Sequence, residues 1–239
     1  MPLSIVYDDE AALRARCETA TVRATRRDEA AYEAGAVVPS GLWGQLTETD
    51  IKSITPPHRP LDSTLVEIVR PPFQREIPLE DLARSLGDAD SVFLGQASAK
   101  PDMVTTTDNY QDGRLIGLHL DNWDKLRFAD KHAGRRRLCL NLGPGPRYVI
   151  LGATDAQAVC RAVHPTSYAH RYPHTDDIRM HVARGHLFRI VRIRLAPGEG
   201  YLAPTEYLPH DGSTEGSPLP STAAFWLGRW PRRVLPTFV

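Results

Sequence analysis

The chain has 239 residues, in which 29 basic side chains balance 29 acidic ones. Hydrophobic residues account for 41% of the sequence and charged residues for 24%, which excludes a disordered or collagen-like chain. The neutral net charge disfavours a nucleic-acid-binding protein, because duplex binding depends on basic surface.

Cysteine usage and hydropathy indicate the cellular setting. The cysteines Cys17, Cys139 and Cys160 are far apart and form no CxxC pair, which argues against a disulfide framework or a thiolate zinc site. This usage is typical of a reducing, cytoplasmic setting. The longest apolar runs, such as 148–151, are far shorter than a membrane span, and the acidic start is unlike a signal peptide.

The N-terminal part of the chain, about 1–90, is expected to form a helical and loop-rich flank. Residues 8–34 predict one helix, because acidic residues open the segment and no Gly or Pro interrupts it. Residues 36–62 are rich in loop signals, and residues 63–70 have strand composition. Residues 78–86 predict a short helix, with Pro in its first turn and Gly directly after its end.

The rest of the chain alternates short apolar segments with Gly- and Pro-rich turns, which is typical of a β-sandwich or barrel. Candidate strands lie at 91–95, 103–107, 114–120, 137–142, 147–151, 186–195, 199–203 and 222–230. One segment, 155–163, has helix composition. We therefore expect a single domain over 1–239, whose β core spans about 91–235 and carries an insertion at about 153–185.

The clearest chemical signal is His119 and Asp121, which lie at the end of the apolar stretch 115–120. In a strand, residues i and i+2 point to the same face and lie about 7 Å apart, at ~3.3 Å per residue. An imidazole and a carboxylate placed in this way can bind one metal ion. The alternative is a surface histidine beside a carboxylate in a turn.

The distant C-terminal part adds a third candidate ligand. A strand ends near residue 196, Pro197 and Gly198 form a turn, a second strand follows, and then comes His210. The next strand carries Arg229, and strand alternation places Phe225 and Arg229 on the same face.

This order of features resembles the iron(II)/2-oxoglutarate-dependent dioxygenases of the double-stranded β-helix superfamily, also called cupin-like jelly rolls. The run Tyr110-Gln-Asp-Gly113 ahead of His119 is similar to that of prolyl-hydroxylase-like members. The resemblance covers roughly residues 103–230. It implies a mainly β protein with flanking helices, in which a double-stranded β-helix follows the N-terminal helical flank.

The resemblance also implies a ligand set. His119, Asp121 and His210 would bind iron(II) on one face and leave three coordination positions open. The cosubstrate 2-oxoglutarate would chelate through its C1 carboxylate and keto oxygen, and dioxygen would take the remaining position. Arg229 would bind the far carboxylate in a charge-assisted pair worth roughly 1.5–3 kcal/mol. Alternative anchors are Arg192, Arg194, Arg232 and Arg233.

Side chains near His119 and Asp121 are candidates for supporting roles. Asn122 either bonds a ligand carboxylate or only shapes its turn. Trp123 either walls the site or packs under the loop. Residues 164–186 hold five histidines, but their spacing matches no zinc motif. We interpret this segment as a polar insertion over the barrel mouth, either a lid or a solvated loop.

Other candidate contacts lie on the central strands. Asn141, Arg147 and Tyr148 flank a Gly-Pro turn and are candidate cosubstrate or substrate contacts, with ordinary packing as the alternative. Arg192 is a candidate substrate contact as well as an alternative anchor. The run 135–137 consists of three arginines, which either contact phosphate or form a basic turn before a strand.

The function that we expect is that of an iron(II)- and 2-oxoglutarate-dependent oxygenase. It would hydroxylate, desaturate or cyclise a small molecule, such as an amino acid or a natural-product intermediate, and need neither a nucleic acid nor a membrane as partner. Two alternatives stay open. One is a cupin-type metalloenzyme that does not use 2-oxoglutarate, and the other is a non-catalytic jelly-roll binding module.

Overall fold

The computed structural model describes residues 3–56, 64–71 and 78–239. The strands in these ranges are β1 (Ser4–Val6), β2 (Cys17–Ala24), β3 (Tyr32–Gln45), β4 (Leu65–Val69), β5 (Val92–Ala99), β6 (Leu115–Gly117), β7 (Arg136–Pro144), β8 (Arg147–Gly152), β9 (Arg189–Leu195), β10 (Gly200–Ala203), β11 (His210–Ser213) and β12 (Ser221–Gly228). The α-helices are α1 (Glu10–Arg14), α2 (Glu48–Ile54), α3 (Leu79–Leu82), α4 (Ala156–Val163) and α5 (Thr175–Ala183). The protein is therefore mainly β.

The described strands form two six-stranded sheets. The first has the order β1-β4-β10-β7-β12-β5 and the second has the order β11-β8-β9-β2-β3-β6. The pairs are antiparallel except for β1 with β4 and β3 with β6. Apolar side chains of both sheets fill the core, including Ile150, Ile190 and Ile193, which are fully buried. Burying a side chain of this size stabilises the fold by about 1.5–3 kcal/mol.

The second sheet nearly closes on itself. His119, which follows β6, forms an isolated bridge with His210, the first residue of β11. The two residues exchange backbone hydrogen bonds of 3.0 and 2.9 Å. Because β6 and β11 are the outermost strands of this sheet, the bridge converts it into a barrel-like ring. The predicted metal ligands therefore lie at the seam of the ring.

The helix predicted over 8–34 is wrong. A helix does begin after the acidic residues, because the Asp9 carboxylate caps α1 by accepting hydrogen bonds from two backbone N–H groups. However, α1 ends at Arg14, and β2 follows. β2 pairs with β3 on one side and with β9 on the other. This central position in a sheet overrides the helix propensity of its Ala, Arg and Glu residues. The predicted helical flank thus supplies strands β1–β4 to the two sheets.

The other N-terminal predictions have mixed outcomes. The strand predicted at 63–70 is confirmed as β4, and the helix at 78–86 as α3 followed by a 3-10 turn. The segment 36–62, expected to be loop-rich, contains part of β3 and the helix α2, and its residues 57–62 lie outside the described ranges.

Most strands predicted after residue 90 are confirmed with shifted ends. The segment 103–107 is not a strand, and β11 was not predicted. The helix at 155–163 is confirmed as α4, with Asp155 as its N-cap, and α5 follows it within the segment 153–185. Within the described part of the chain, no helix has the length and apolar character required to span a bilayer.

Candidate metal site and adjoining cavity

The structure brings the three predicted ligands together. One ligand atom each from His119, Asp121 and His210 lies within 4.8 Å of the other two. The three residues are only 6%, 7% and 2% exposed. The distance between His210 Nε2 and Asp121 Oδ2 is 3.8 Å. The group could therefore bind one metal ion.

Close packing of the end of β6 against β3 places His119 and Asp121 at the seam of the ring. β6 ends at Gly117, which has a φ of +68° and packs so closely on β3 that a Cβ would overlap the Val37 carbonyl oxygen. Only Gly fits such a position without strain. Two residues later His119 bonds to His210, and the Asp121 N–H donates to the Thr205 carbonyl at 3.0 Å. The ligand segment is thus tied to the turn that precedes β11.

Both imidazoles are fixed by the same local bond. His119 Nδ1 lies 2.9 Å from the carbonyl oxygen of Gly117, and His210 Nδ1 lies 3.2 Å from that of Leu208. Because a carbonyl can only accept, each Nδ1 carries a proton, which leaves Nε2 as the ring nitrogen that can bind a metal ion. A backbone bond of this kind orients many metal-binding histidines.

Arg137 holds the carboxylate of Asp121. Its Nη2 lies 2.7 Å from both oxygens and forms a hydrogen bond with Oδ1. Burial alone would raise the pKa of Asp121, but the charge of Arg137 and the proximity of the two imidazoles outweigh burial and lower the pKa to about 2. Asp121 is therefore a carboxylate at neutral pH.

Two buried atoms of the cluster form no hydrogen bond with any described residue: Asp121 Oδ2, whose one close contact with a cation is the ion pair with Arg137, and His210 Nε2. An unpaired buried polar atom costs free energy, and a bound cation would satisfy both atoms at once. Burial, together with the proximity of His119, lowers the pKa of His210 to about 3, so this imidazole is neutral and able to bind metal. Two imidazoles and one carboxylate form a donor set that fits iron(II) and similar divalent ions.

A cavity of about 140 Å³ adjoins the cluster at His210. Phe225, Val149 and Tyr201 form part of its wall, and the guanidinium groups of Arg137 and Arg147 are also in the lining. A cavity of similar size, ~150 Å³, holds a benzene molecule in another protein. The exposed residues at its rim are Ala97, Ser98 and Asp108.

Arg147 is the unpaired cation of this cavity. Its side chain is buried, and its Nη1 has no hydrogen-bond partner. Among the residues that the structure describes, no carboxylate forms an ion pair with it. The guanidinium passes over Gly212, where a Cβ would lie 2.6 Å from Nη2. A buried cation without a counterion favours an anionic ligand.

Asp211, directly after His210, fixes the segment that covers the cavity. Its Oδ1 accepts bonds from the backbone N–H groups of Thr106, Thr107 and Gly212 and from the Thr107 hydroxyl. Burial raises the pKa of Asp211 despite these bonds and the proximity of His119. The segment predicted as a strand at 103–107 is thus bonded to the edge of β11 without joining the sheet.

Arg229, the predicted cosubstrate anchor, lies outside this cavity. It is exposed, and its side chain donates to the Ala133 carbonyl while its backbone N–H donates to Asp88. β12 ends at Gly228, so the alternation that would have turned Arg229 inward stops one residue before it. Arg229 therefore does not line the cavity beside the metal cluster, whereas Arg147 does.

Of the remaining candidate contacts, Tyr148 also lines the cavity, whereas Asn122, Trp123, Asn141 and Arg192 do not. The Asn141 side chain is saturated by Gly143, Gly145, Leu195 and Ser221, so it shapes the Gly-Pro turn. Arg192 pairs with Glu18 and Glu215 and stacks on Trp43 and Tyr148. Asn122 accepts a bond from Lys131, and Trp123 is 55% exposed.

The histidine-rich segment makes structural contacts. His164 Nε2 lies 2.9 Å from Asp177, which joins α4 to α5. The rings of His181 and His186 stack with centroids 4.6 Å apart. Within the described ranges, the only group of three or more metal-ligating side chains is that of His119, Asp121 and His210.

Sequence reasoning missed the contact of Arg137 with Asp121, because it interpreted the run 135–137 as either a phosphate contact or a basic turn. The available signal was strand alternation, because Arg137 and Cys139 share a face of β7 and both line the cavity. No signal in the sequence identified Asp121 as the partner of Arg137.

Comparison with protein-family models and with curated proteins found no match to the chain. The resemblance therefore rests on the sequence motif together with the geometry of the seam.

Proposed function

We propose that the chain is an iron(II)- and 2-oxoglutarate-dependent oxygenase with a double-stranded β-helix core, acting on a small molecule. The proposal rests on one observation: a cavity lined by the guanidinium groups of Arg137 and Arg147 adjoins the three-residue cluster. His210 belongs to both. A ligand that binds the metal and reaches Arg147 must carry chelating atoms at one end and an anion at the other, as 2-oxoglutarate does.

Each part of the chain has a defined task in this proposal. His119, Asp121 and His210 would hold iron(II), which when bound supplies the activation of dioxygen. Arg147 binds the far carboxylate of the cosubstrate through a charge-assisted bond. Arg137 keeps Asp121 oriented and ionised. Phe225, against which both guanidinium groups lie at 5.3 and 6.0 Å from the ring centroid, excludes water from the cavity.

The first test is binding of 2-oxoglutarate, which needs no knowledge of the prime substrate. We expect the protein loaded anaerobically with iron(II) to bind 2-oxoglutarate in a calorimetric titration, and the protein treated with a chelator not to bind it. With a substrate present, oxygen uptake should be accompanied by stoichiometric release of succinate.

Two results would contradict the proposal. Metal-dependent turnover that is unaffected by removing 2-oxoglutarate would indicate a cupin-type metalloenzyme. A protein that binds neither iron(II) nor 2-oxoglutarate would be a binding module with this fold.

A further inference from the structure

A second pair of charged side chains lies beside the metal cluster. The side chains of Lys131 and Glu206 are both 0% exposed, and Lys131 Nζ is 3.2 Å from Glu206 Oε2. A fully buried ion pair adds little net stability, because the loss of hydration offsets the attraction between the charges. We therefore infer the role of the Lys131–Glu206 pair from its other hydrogen bonds.

Both members of the pair bind the segment directly after Asp121. Lys131 Nζ donates to Asn122 Oδ1 at 3.1 Å. Glu206 Oε1 accepts from the backbone N–H of Asp124 at 3.0 Å. The pair thus fixes the backbone that continues from one metal ligand.

The same pair is anchored in the turn before His210. Glu206 belongs to this turn, and its neighbour Thr205 accepts the backbone bond from Asp121. The turn leads into β11, which begins at His210. The bonds made by Glu206 therefore join the segment of one candidate ligand, Asp121, to the segment of another, His210.

The segment that carries Lys131 packs closely against Glu206, and this packing keeps Lys131 in place. The 3-10 segment Phe128–Ala133 carries Lys131 and ends at Gly134. A Cβ at Gly134 would lie 2.7 Å from Glu206 Cβ, so only Gly lets this segment lie so near. Any larger residue would push the segment away from Glu206.

We propose that Lys131 and Glu206 are positioning residues that set the separation of Asp121 from His210 and so determine the metal affinity of the site. The inference rests on the metal cluster of the proposed function and not on the use of 2-oxoglutarate. Residues that orient metal ligands without touching the metal typically change affinity by 10- to 100-fold when removed.

The test is the Kd for Co(II) of Lys131→Met, measured by titration of the metal-free protein, with the visible spectrum of the Co(II) complex as a second readout. We expect a Kd at least tenfold higher than in the wild type and a changed spectrum. The matched control is Arg192→Met, which breaks another largely buried ion-pair cluster, with Glu18 and Glu215. It should lower Tm and leave Kd within threefold of the wild type.

Two further variants separate positioning from folding. Lys131→Met/Glu206→Leu replaces the ion pair by apolar side chains and should regain stability while keeping the weak Co(II) binding. Gly134→Ala keeps both charges and should also weaken Co(II) binding, by displacing the Lys131 segment. If Lys131→Met does not fold, the Kd values for Co(II) of these two variants test the inference instead.

The inference is overturned if Kd is unchanged in the Lys131 variants, if Arg192→Met raises Kd equally, or if the double variant binds Co(II) like the wild type. A wild-type protein that does not bind Co(II) would overturn the metal cluster itself. A wild-type protein that binds Co(II) but not 2-oxoglutarate would overturn the proposed function and leave this inference intact.

Discussion

The rings of His119 and His210 are oriented by backbone carbonyl groups. Each Nδ1–H donates to a carbonyl group two residues earlier in the chain, which leaves Nε2 as the ring nitrogen that can bind a metal ion. Without a metal, this arrangement leaves His210 Nε2 buried and unpaired. We therefore expect acid to destabilise the metal-free protein.

The stability of the metal-free protein should fall as the pH drops below 6.5. Burial lowers the pKa of His210 from 6.5 to about 3, so between these values the unfolded chain takes up a proton that the folded chain does not. The free energy of unfolding should therefore decrease with acidification, by up to about 1.4 kcal/mol per pH unit for this group. Urea unfolding at pH 6.5, 5.5 and 4.5 measures the slope.

The variant His210→Asn should lose this slope. His181 has a pKa that burial also lowers, so His181→Asn is the control for a second buried imidazole. An unchanged slope in His210→Asn would show that another group causes the acid sensitivity.

Arg147 should matter for cosubstrate binding, and Arg229 should not. Arg147→Met removes the unpaired cation of the cavity and should raise the Kd for 2-oxoglutarate at least tenfold, since a charge-assisted bond contributes roughly 1.5–3 kcal/mol. Arg229→Met changes the same residue type outside the cavity and should leave this Kd unchanged. Calorimetry of the metal-loaded proteins measures both. The reverse ranking would restore Arg229 as the anchor.

At this scale the sequence predicted the three residues of the buried cluster but not the arginine that lines the adjoining cavity. The cluster follows from a short motif, in which His119 and Asp121 are two residues apart, plus one distant histidine. The arginine of the cavity depends on which of many arginines turns inward. Which arginine turns inward depends on where β12 ends and on which faces of β7 and β8 point toward the cavity. No local sequence pattern encodes these features.

At the scale of secondary-structure elements, the junction of β6 with β3 decides where the ligands lie. Gly117→Ala should destabilise the protein by about 2–4 kcal/mol, because a Cβ would meet the Val37 carbonyl in addition to the strain of a positive φ. It should also weaken metal binding by moving His119. Chemical unfolding and a Co(II) titration measure the two effects.

Gly113→Ala is the matched control. Gly113 has a similar φ of +71°, but nothing lies within 4 Å of a Cβ there. This variant should lose only about 1–2 kcal/mol and bind metal normally. Equal effects of the two substitutions would mean that the contact with β3 does not position the ligands.

Elements that depend on tertiary pairing were the ones that sequence reasoning missed. The segment that forms β2 has good helix formers, but Thr19, Thr21 and Val22 fit a strand once partners lie on both sides. β11 has the sequence His-Asp-Gly-Ser, which carries no strand signal. It is extended because β8 pairs with it. In contrast, α4 has a local N-cap and a buried face, so it was predictable.

At the scale of the whole molecule, the site exists because one sheet nearly closes into a ring. His119 and His210 come from opposite edges of the order β11-β8-β9-β2-β3-β6. Four strands must pair correctly between them before the ligands meet. Metal binding and folding of this sheet are therefore coupled, since a ligand that binds only the folded state stabilises it.

The most direct test is an anomalous-difference map of a crystal soaked anaerobically with iron(II) and N-oxalylglycine, a stable analogue of 2-oxoglutarate. We expect one iron peak within bonding distance of His119, Asp121 and His210, with the far carboxylate of the analogue on Arg147. An iron peak at other residues, or a cluster without iron, would contradict it.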